Sequence, residues 1–282
     1  MSNLSGAVYP DTRPPRAGEV DPPEAQVSVA VATMEVSRVG PVDVFAMILP
    51  VHWDLAAALV AREAEALRPS FVMMNGVAGP RQALWLELGA ANRASTLLDG
   101  SNQLRPFAAD GEKLVKIVEG APPSEDEQPN LLSWGSVESA ANDAIGRHAG
   151  EREGGARFGD ILQGVERAGF PRASNTYLCN NITYLTGWLM SHPRSDVSLL
   201  EASHPEPGAR NALNVRIDAD LQAVPRVFVH WPSELADKHL DAAADVMRAI
   251  IGAQLKALAA GDTPTFGDNR NASGSLRGGG FF

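Results

Sequence analysis

Two short apolar runs flank a helix-forming stretch near the start of the chain: VDVFAMILPV (42–51), LAAALVAREAEAL (55–67) and SFVMMNGVAG (70–79). Each run closes on a proline or runs into glycine, and each has the length of a buried strand. The middle stretch is rich in Ala, Leu, Glu and Arg, and Pro69 follows soon after it, as expected for a helix that has ended. Strand, helix, strand in this order implies a parallel or mixed sheet with helices packed on it. The expected fold is therefore an α/β sandwich, as one large domain or two small ones. With 282 residues, 44% of them apolar, the chain can bury such a core. In sheets of this kind sites gather at the carboxyl ends of strands, where the loop from Gly76 to Arg81 would lie.

Further elements follow the same logic. Residues 1–25 are rich in proline and charge and read as an irregular arm, while 26–39 fit a helix or a strand. Residues 99–130, with Glu125, Asp126 and Glu127, read as a solvated loop. FGDILQGVERAGF (158–170) reads as a helix ending at Gly169. VPRVFVHWP (224–232) reads as a buried strand ending on His230, and LDAAADVMRAIIGAQLKALAAG (240–261) as a long amphipathic helix closed by Gly261. Residues 193–222 form a polar, proline-containing excursion in which ALNVRID (212–218) can be one strand. The Gly/Asn/Ser-rich stretch 262–282 reads as disordered.

Charge and composition exclude several classes of partner. A net charge of −10 argues against nucleic acid and anionic membranes. No apolar run reaches the length that crosses a bilayer. The first residues, MSNLSGAVYPDTRPP, lack the basic-then-apolar pattern of a secretory signal, and there is one cysteine, so a cytoplasmic location is expected. His192 and His204 lie in a polar stretch without neighbouring cysteines or paired carboxylates, so no metal site is expected. Gly76, Gly79 and Arg81 do not make a nucleotide-binding pattern. His52 reads as structural, and His148 and His239 as solvent-facing helix residues.

The one cysteine, Cys179, stands in SNTYLCNNITYLTGW. Tyr177 and Leu178 read as the end of a short strand, and Ile182, Leu185, Trp188 and Leu189 recur on one face of a helix that follows. The thiol would then sit at a helix start, where unpaired N–H groups and the dipole favour a thiolate. Such a thiol needs a base, and the base needs an acceptor that fixes its tautomer. His230 at a strand end and Glu87 just past another are the available pair. From the residues alone a buried structural thiol fits Cys179 as well, and Glu87 alone would be a surface helix residue.

Three segments, taken in order, resemble those of the pyroglutamyl peptidase I (pyrrolidone-carboxyl peptidase) family of cysteine peptidases. GVAGPRQALWLELGAAN resembles the family's Gly-x-Ala-Gly-Gly-Arg segment with its downstream glutamate and asparagine. NTYLCNNITY resembles the nucleophile segment, and RVFVHWP the strand that carries the histidine. The resemblance spans roughly 41–260. It implies a compact, single-domain α/β/α sandwich with a twisted central mixed sheet, phosphorylase/hydrolase-like, a catalytic set of Cys179, His230 and Glu87, and no metal or cofactor. It further implies substrate contacts from Gly76, Ala78, Arg81, Asn92 and Asn180, a peptide or small amide as substrate, and assembly as a homo-oligomer. The activity it implies is removal of an N-terminal pyroglutamyl residue through an acyl-thioester. On this reading 1–40 is a divergent N-terminal element, 41–261 the catalytic domain with 193–222 as an inserted loop or lid, and 262–282 a tail. Pro80 stands where the family has its second glycine, Leu97 where it has an arginine, and GAVYPDTRPPRAGE where it has an aromatic Gly-Phe-x-Pro-Phe segment. These departures leave two alternatives open: an amidase for another small lactam or N-acyl amide, or a catalytically silent binding relative.

Overall fold

The computed structural model describes residues 4–8, 26–79, 82–95, 97, 100, 114–170, 176–200 and 212–272. Its centre is a mixed six-stranded sheet of β4 (Val72–Ala78), β5 (Ala83–Glu87), β10 (Leu131–Leu132), β13 (Gly164–Ala168), β16 (Arg226–Pro232) and β17 (Thr265–Phe266). β16 is the central strand. It runs parallel to β4 along its whole length, from Arg226 opposite Val72 to Pro232 opposite Ala78. On its other side it pairs antiparallel with β5 and β10, while β13 runs parallel to β5 and β17 antiparallel to β10. All seven residues of β16 are buried, the apolar Val227, Phe228, Val229 and Trp231 together with Arg226 and His230.

Helices cover both faces, in accord with the α/β sandwich expected from sequence. α1 (Leu55–Leu67) and α4 (Leu178–Ser191) pack with Met74 and Phe228 on one face. α2 (Trp134–His148) and α5 (Leu240–Ala259) pack with Leu84, Leu86, Val227, Val229 and Trp231 on the other. The period of two along a strand sorts the functional side chains. His230 shares its face with Phe228, and Glu87 lies on the face opposite Leu86, so both are on the α4 side.

Several expectations from sequence are corrected. The segment 158–170 is not one helix: a four-residue helix α3 (Phe158–Ile161) gives way to β13, because pairing with β5 outweighs helix propensity. Within the span read as an arm, β1 (Leu4–Val8) is a strand, and β2 (Gln26–Val36) takes the strand alternative left open for 26–39. They join β3 (Gly40–Ile48) in a separate antiparallel sheet. The boundary at 40/41 therefore falls in the β2–β3 hairpin. β3 is a strand as read but not a buried one: Phe45 is 46% and Ile48 72% exposed, since it pairs with β2 rather than with the central sheet. Within the span read as a tail, β17 and a short 3-10 turn, Asn269–Asn271, are ordered. There the Gly267 N–H donates to the Asn130 carbonyl (2.7 Å), and a β-carbon at Gly267 would run into the Leu88 carbonyl.

Shorter pairs complete the fold: β6 (Gly89–Ala91) with β9 (Glu127–Pro129), β7 (Ala94–Ser95) with β8 (Leu114–Val115), β11 (Arg152–Glu153) with β12 (Ala156–Arg157), and β14 (Val197–Leu200) with β15 (Ala212–Val215). The last pair lies in the 193–222 excursion, whose residues 201–211, the place for a lid, are outside the described residues. Of the stretch read as a solvated loop, residues 101–113 lie outside the described residues; Glu127 is exposed, whereas Glu125 is held by α4. Glu125 accepts from Trp188 Nε1 (3.2 Å) and lies 3.0 Å from His192 Nε2, and its carbonyl accepts from the Tyr184 hydroxyl (2.7 Å). His239 is buried against Phe158, and His148 bridges Glu151 and Asp245. Both depart from the solvent-facing reading. Among the described residues no helix is long and apolar enough to cross a membrane.

α2 and α5 are tied by one fully buried amide. Gln254 Oε1 accepts from the Ser133 N–H (2.9 Å) and its Nε2 donates to Ser133 Oγ (3.3 Å), satisfying the start of α2 from the neighbouring helix. Gln254→Leu keeps the shape but orphans that N–H, which costs about 1–3 kcal/mol. Thermal unfolding should show a lowered Tm by roughly 2–4 °C per kcal/mol. An unchanged Tm would mean that Ser133 needs no such partner.

Candidate active site

Cys179 is the second residue of α4, and no strand precedes it among the described residues: Tyr177 is the N-terminal flanking residue of the helix. The expected strand-to-helix junction is corrected to a thiol in the first helical turn. The Asn181 N–H bonds the Tyr177 carbonyl (3.0 Å) as the first helical bond. The N–H groups of Leu178, Cys179 and Asn180 therefore have no partner within the helix. The thiol is half-buried and sits over Gly76 of β4. A β-carbon on Gly76 would lie 3.3 Å from Cys179 Sγ and 2.7 Å from Phe228 Cζ, so this approach of helix to sheet needs glycine.

Gly76 is paired with His230 across the β4–β16 ladder. His230 Nδ1 donates to Glu87 Oε1 at 2.6 Å, with the two side chains only 7% and 2% exposed. The Phe228 ring lies against the imidazole, centroids 4.7 Å apart. Burial by itself would depress the imidazole's pKa. Hydrogen bonds to Cys179 and Glu87, and the negative charge of both, outweigh that and raise it to about 9. With Nδ1 held by the carboxylate, Nε2 is the ring nitrogen left for the thiol. The arrangement can hold a proton between sulfur and nitrogen while the carboxylate supports the cation.

The structure thus brings together Cys179, His230, Glu87 and Gly76, which lie far apart in sequence. Glu87 is a buried strand-end residue rather than a surface helix one. Ala78 ends β4 on the same face as Gly76, opposite Pro232. Arg81 lies outside the described residues. Asn92 and Asn180, expected as substrate contacts, have their side-chain amides engaged by backbone groups. Asn92 Oδ1 accepts from the N–H groups of Ile117 and Val118 (2.8 Å each) and its Nδ2 donates to the Val118 carbonyl (3.0 Å). Asn180 Oδ1 accepts from the Ala91 N–H (2.9 Å), and its Nδ2 donates to the carbonyls of Ala91 (2.8 Å) and Arg93 (2.7 Å).

Residue patterns do not single out Phe228, Asp54 or Asn181. Asn181 stands in the cysteine string itself; nothing local marks Asp54, whose partner is 127 residues away. Among the described residues, neither of two recesses is lined by Cys179. One of about 300 Å³ lies between the start of α2 and the 262–271 segment. Another of about 220 Å³, apolar, lies between β4 and α5 and reaches Gly76. Among the described residues no cluster of three or more His, Cys, Asp or Glu side chains is arranged to hold a metal ion.

The site is that of an α/β protein with a buried carboxylate, an imidazole and a thiol in series. No protein-family model matches the chain, and no curated protein matches it in sequence. Solved structures do match. The chain is 15% identical to pyrrolidone carboxyl peptidase from Pyrococcus furiosus, with a TM-score of 0.46, over 74% of this chain and 80% of that one. Against pyrrolidone carboxyl peptidase from Thermococcus litoralis the figures are 16%, 0.47, 76% and 79%. Against pyroglutamyl peptidase I from Bacillus amyloliquefaciens they are 14%, 0.44, 73% and 75%.

Gly76→Ala tests the helix-to-sheet approach. The added methyl must displace the Phe228 ring or the thiol, and such overpacking costs about 1–3 kcal/mol. A fall in Tm together with slower alkylation of Cys179 is expected. Wild-type values for both would show that the thiol does not rest on Gly76.

Proposed function

We propose that this chain is a cysteine hydrolase that cleaves an amide through an acyl-thioester, acting on peptides with an N-terminal pyroglutamyl residue. The observation that carries the first part is the series of buried Glu87, buried His230 and half-buried Cys179, with 2.6 Å between carboxylate and imidazole and the imidazole's proton affinity raised by both neighbours. The pyroglutamyl specificity rests on the likeness of the segments around Gly76, Cys179 and His230 to those of that peptidase family.

In the reaction His230 takes the thiol proton as Sγ attacks the acyl carbonyl carbon. The N–H groups of the first turn of α4, directed at the helix start, are the donors placed to meet the oxyanion. The imidazolium then gives its proton to the amine nitrogen as the C–N bond breaks, leaving the acyl-thioester and a free amine. Water attacks the thioester, His230 accepts its proton and returns it to sulfur, and the acid product leaves. Glu87 holds the ring and balances its charge throughout. A free thiol nucleophile works in a reducing compartment, and the cytoplasm is the proposed location.

Hydrolysis of a pyroglutamyl-coumarylamide tests the proposal. Cys179→Ala should abolish turnover, and His230→Ala should lower kcat by roughly 100- to 10,000-fold. Equal rates for wild type and Cys179→Ala would sink the reading. Turnover of other small lactams or N-acyl amides, with none of the pyroglutamyl substrate, would keep the hydrolase and replace its substrate.

The pH profile gives a separate check. Protonated His230 donates to the leaving amine, so the alkaline limb of kcat/KM should fall near its raised pKa of about 9 in the free protein. Glu87 is one of the groups that raise it, so Glu87→Gln should move that limb to lower pH. A limb unmoved by Glu87→Gln would remove Glu87 from its role.

A further inference from the structure

Two consecutive asparagines follow the thiol, and their side chains grip two different walls. Asn180 binds the 91–93 segment on one flank. Asn181 binds Asp54 on the other: its Nδ2 donates to Asp54 Oδ1 (2.7 Å), and its Oδ1 accepts the Asp54 N–H (3.1 Å). Asp54 is 0% and Asn181 1% exposed. Asp54 also holds a positive-φ backbone, φ 58° and ψ −36°, immediately before α1, a conformation that costs an aspartate on the order of 1 kcal/mol or more unless its surroundings fix it. Next to it, the Trp53 ring meets the Tyr177 ring edge-on, centroids 5.2 Å apart. The Trp53–Asp54 segment therefore touches α4 just before and just after Cys179.

The first turn of a helix is where it frays, since its leading N–H groups lack helical partners. Successive residues point about 100° apart around the axis, so clamps at Asn180 and Asn181 together stop the turn from rolling, which either alone would not. A buried carboxylate paired with an amide stabilises less than apolar packing would, so its value lies in geometry. We propose that Asp54 and Asn181 form a positioning pair for Cys179, fixing where Sγ stands relative to His230 and Gly76. The inference rests on the reading of Cys179 as the nucleophile.

The test compares Asn181→Asp, Asp54→Asn and the double swap. It measures Cys179 alkylation by iodoacetamide across neutral and alkaline pH, kcat and KM on the pyroglutamyl-coumarylamide, and thermal unfolding. Asn181→Asp sets two carboxylates face to face. It should slow alkylation at neutral pH by about 10-fold or more, since displacements of an ångström cost up to ~100-fold. Alkylation should be slower across the pH range measured, and kcat should fall more than KM rises. Asp54→Asn can still accept from Asn181 Nδ2, and the swap restores both bonds, so each should remain within about 3-fold of wild type. Should Asn181→Asp not fold, Asp54→Ala, which leaves the N–H bond to Asn181 intact, should show a loss of about 3- to 10-fold in kcat with KM held.

A lowered Tm with a wild-type alkylation profile, in either disruptive variant, would overturn the positioning role alone. A wild-type Cys179 that alkylates no faster than a free thiol would overturn the nucleophile reading and this inference with it.

Discussion

The bond between His230 and Glu87 is the interaction on which the rest of the site depends. A carboxylate with 1% of its residue exposed and an imidazole with 5% are costly to bury singly. Together, 2.6 Å apart, they support one another. That distance is set by strand register. β16 and β5 pair so that His230 lies opposite Trp85, and the pleat sends His230 and Glu87 to the same face. A slip of one residue on either strand would send one partner into the opposite core. The apolar residues that alternate with them, Val229, Trp231 and Leu86, hold the register because their burial against α2 and α5 would be lost in the slip.

On this base α4 supplies the third member. Its helix lies against the sheet at Gly76, where the missing side chain lets sulfur come close to β4. Its buried side chains, Tyr184, Leu185 and Leu189, anchor it in the same core as Phe228 and Met74. The two asparagines after the thiol are part of this support, their side chains bonded to segments that pack beside them, Asn180 to backbone groups and Asn181 to the Asp54 carboxylate and N–H. The site is therefore an assembly of rigid elements rather than of loops, which suits chemistry that depends on sub-ångström placement.

Much of this is legible in the amino-acid sequence. The strand over Arg226–Pro232, the helix after Cys179 and the long helix closed near Gly261 follow from apolar period and capping residues. Cys179, His230 and Glu87 are legible as a set because nucleophilic chemistry needs those types, and the likeness of their segments to a known family ties them together. The failures have physical causes. Gly164–Ala168 contains helix formers, yet pairing with β5 makes it a strand. Thr265–Phe266 sits in polar, glycine-rich sequence, yet the edge of β10 gives it partners. Gly40–Ile48 looks like a core strand, yet its pairing partner is β2. In each case a distant segment decided the outcome.

The residues by themselves determined which elements form around the site and which groups have the chemistry, because period, capping and side-chain pKa are local properties. Only the tertiary structure decided what each polar side chain does. Asn92 and Asn180 have the chemistry of substrate contacts, but the backbone they meet uses them as clamps. Asp54 carries no local mark, and its tie to Asn181 exists because α1 and α4 pack side by side. Hydrogen bonds reach only about 3 Å, so their partners are fixed by packing across the chain and not by order along it.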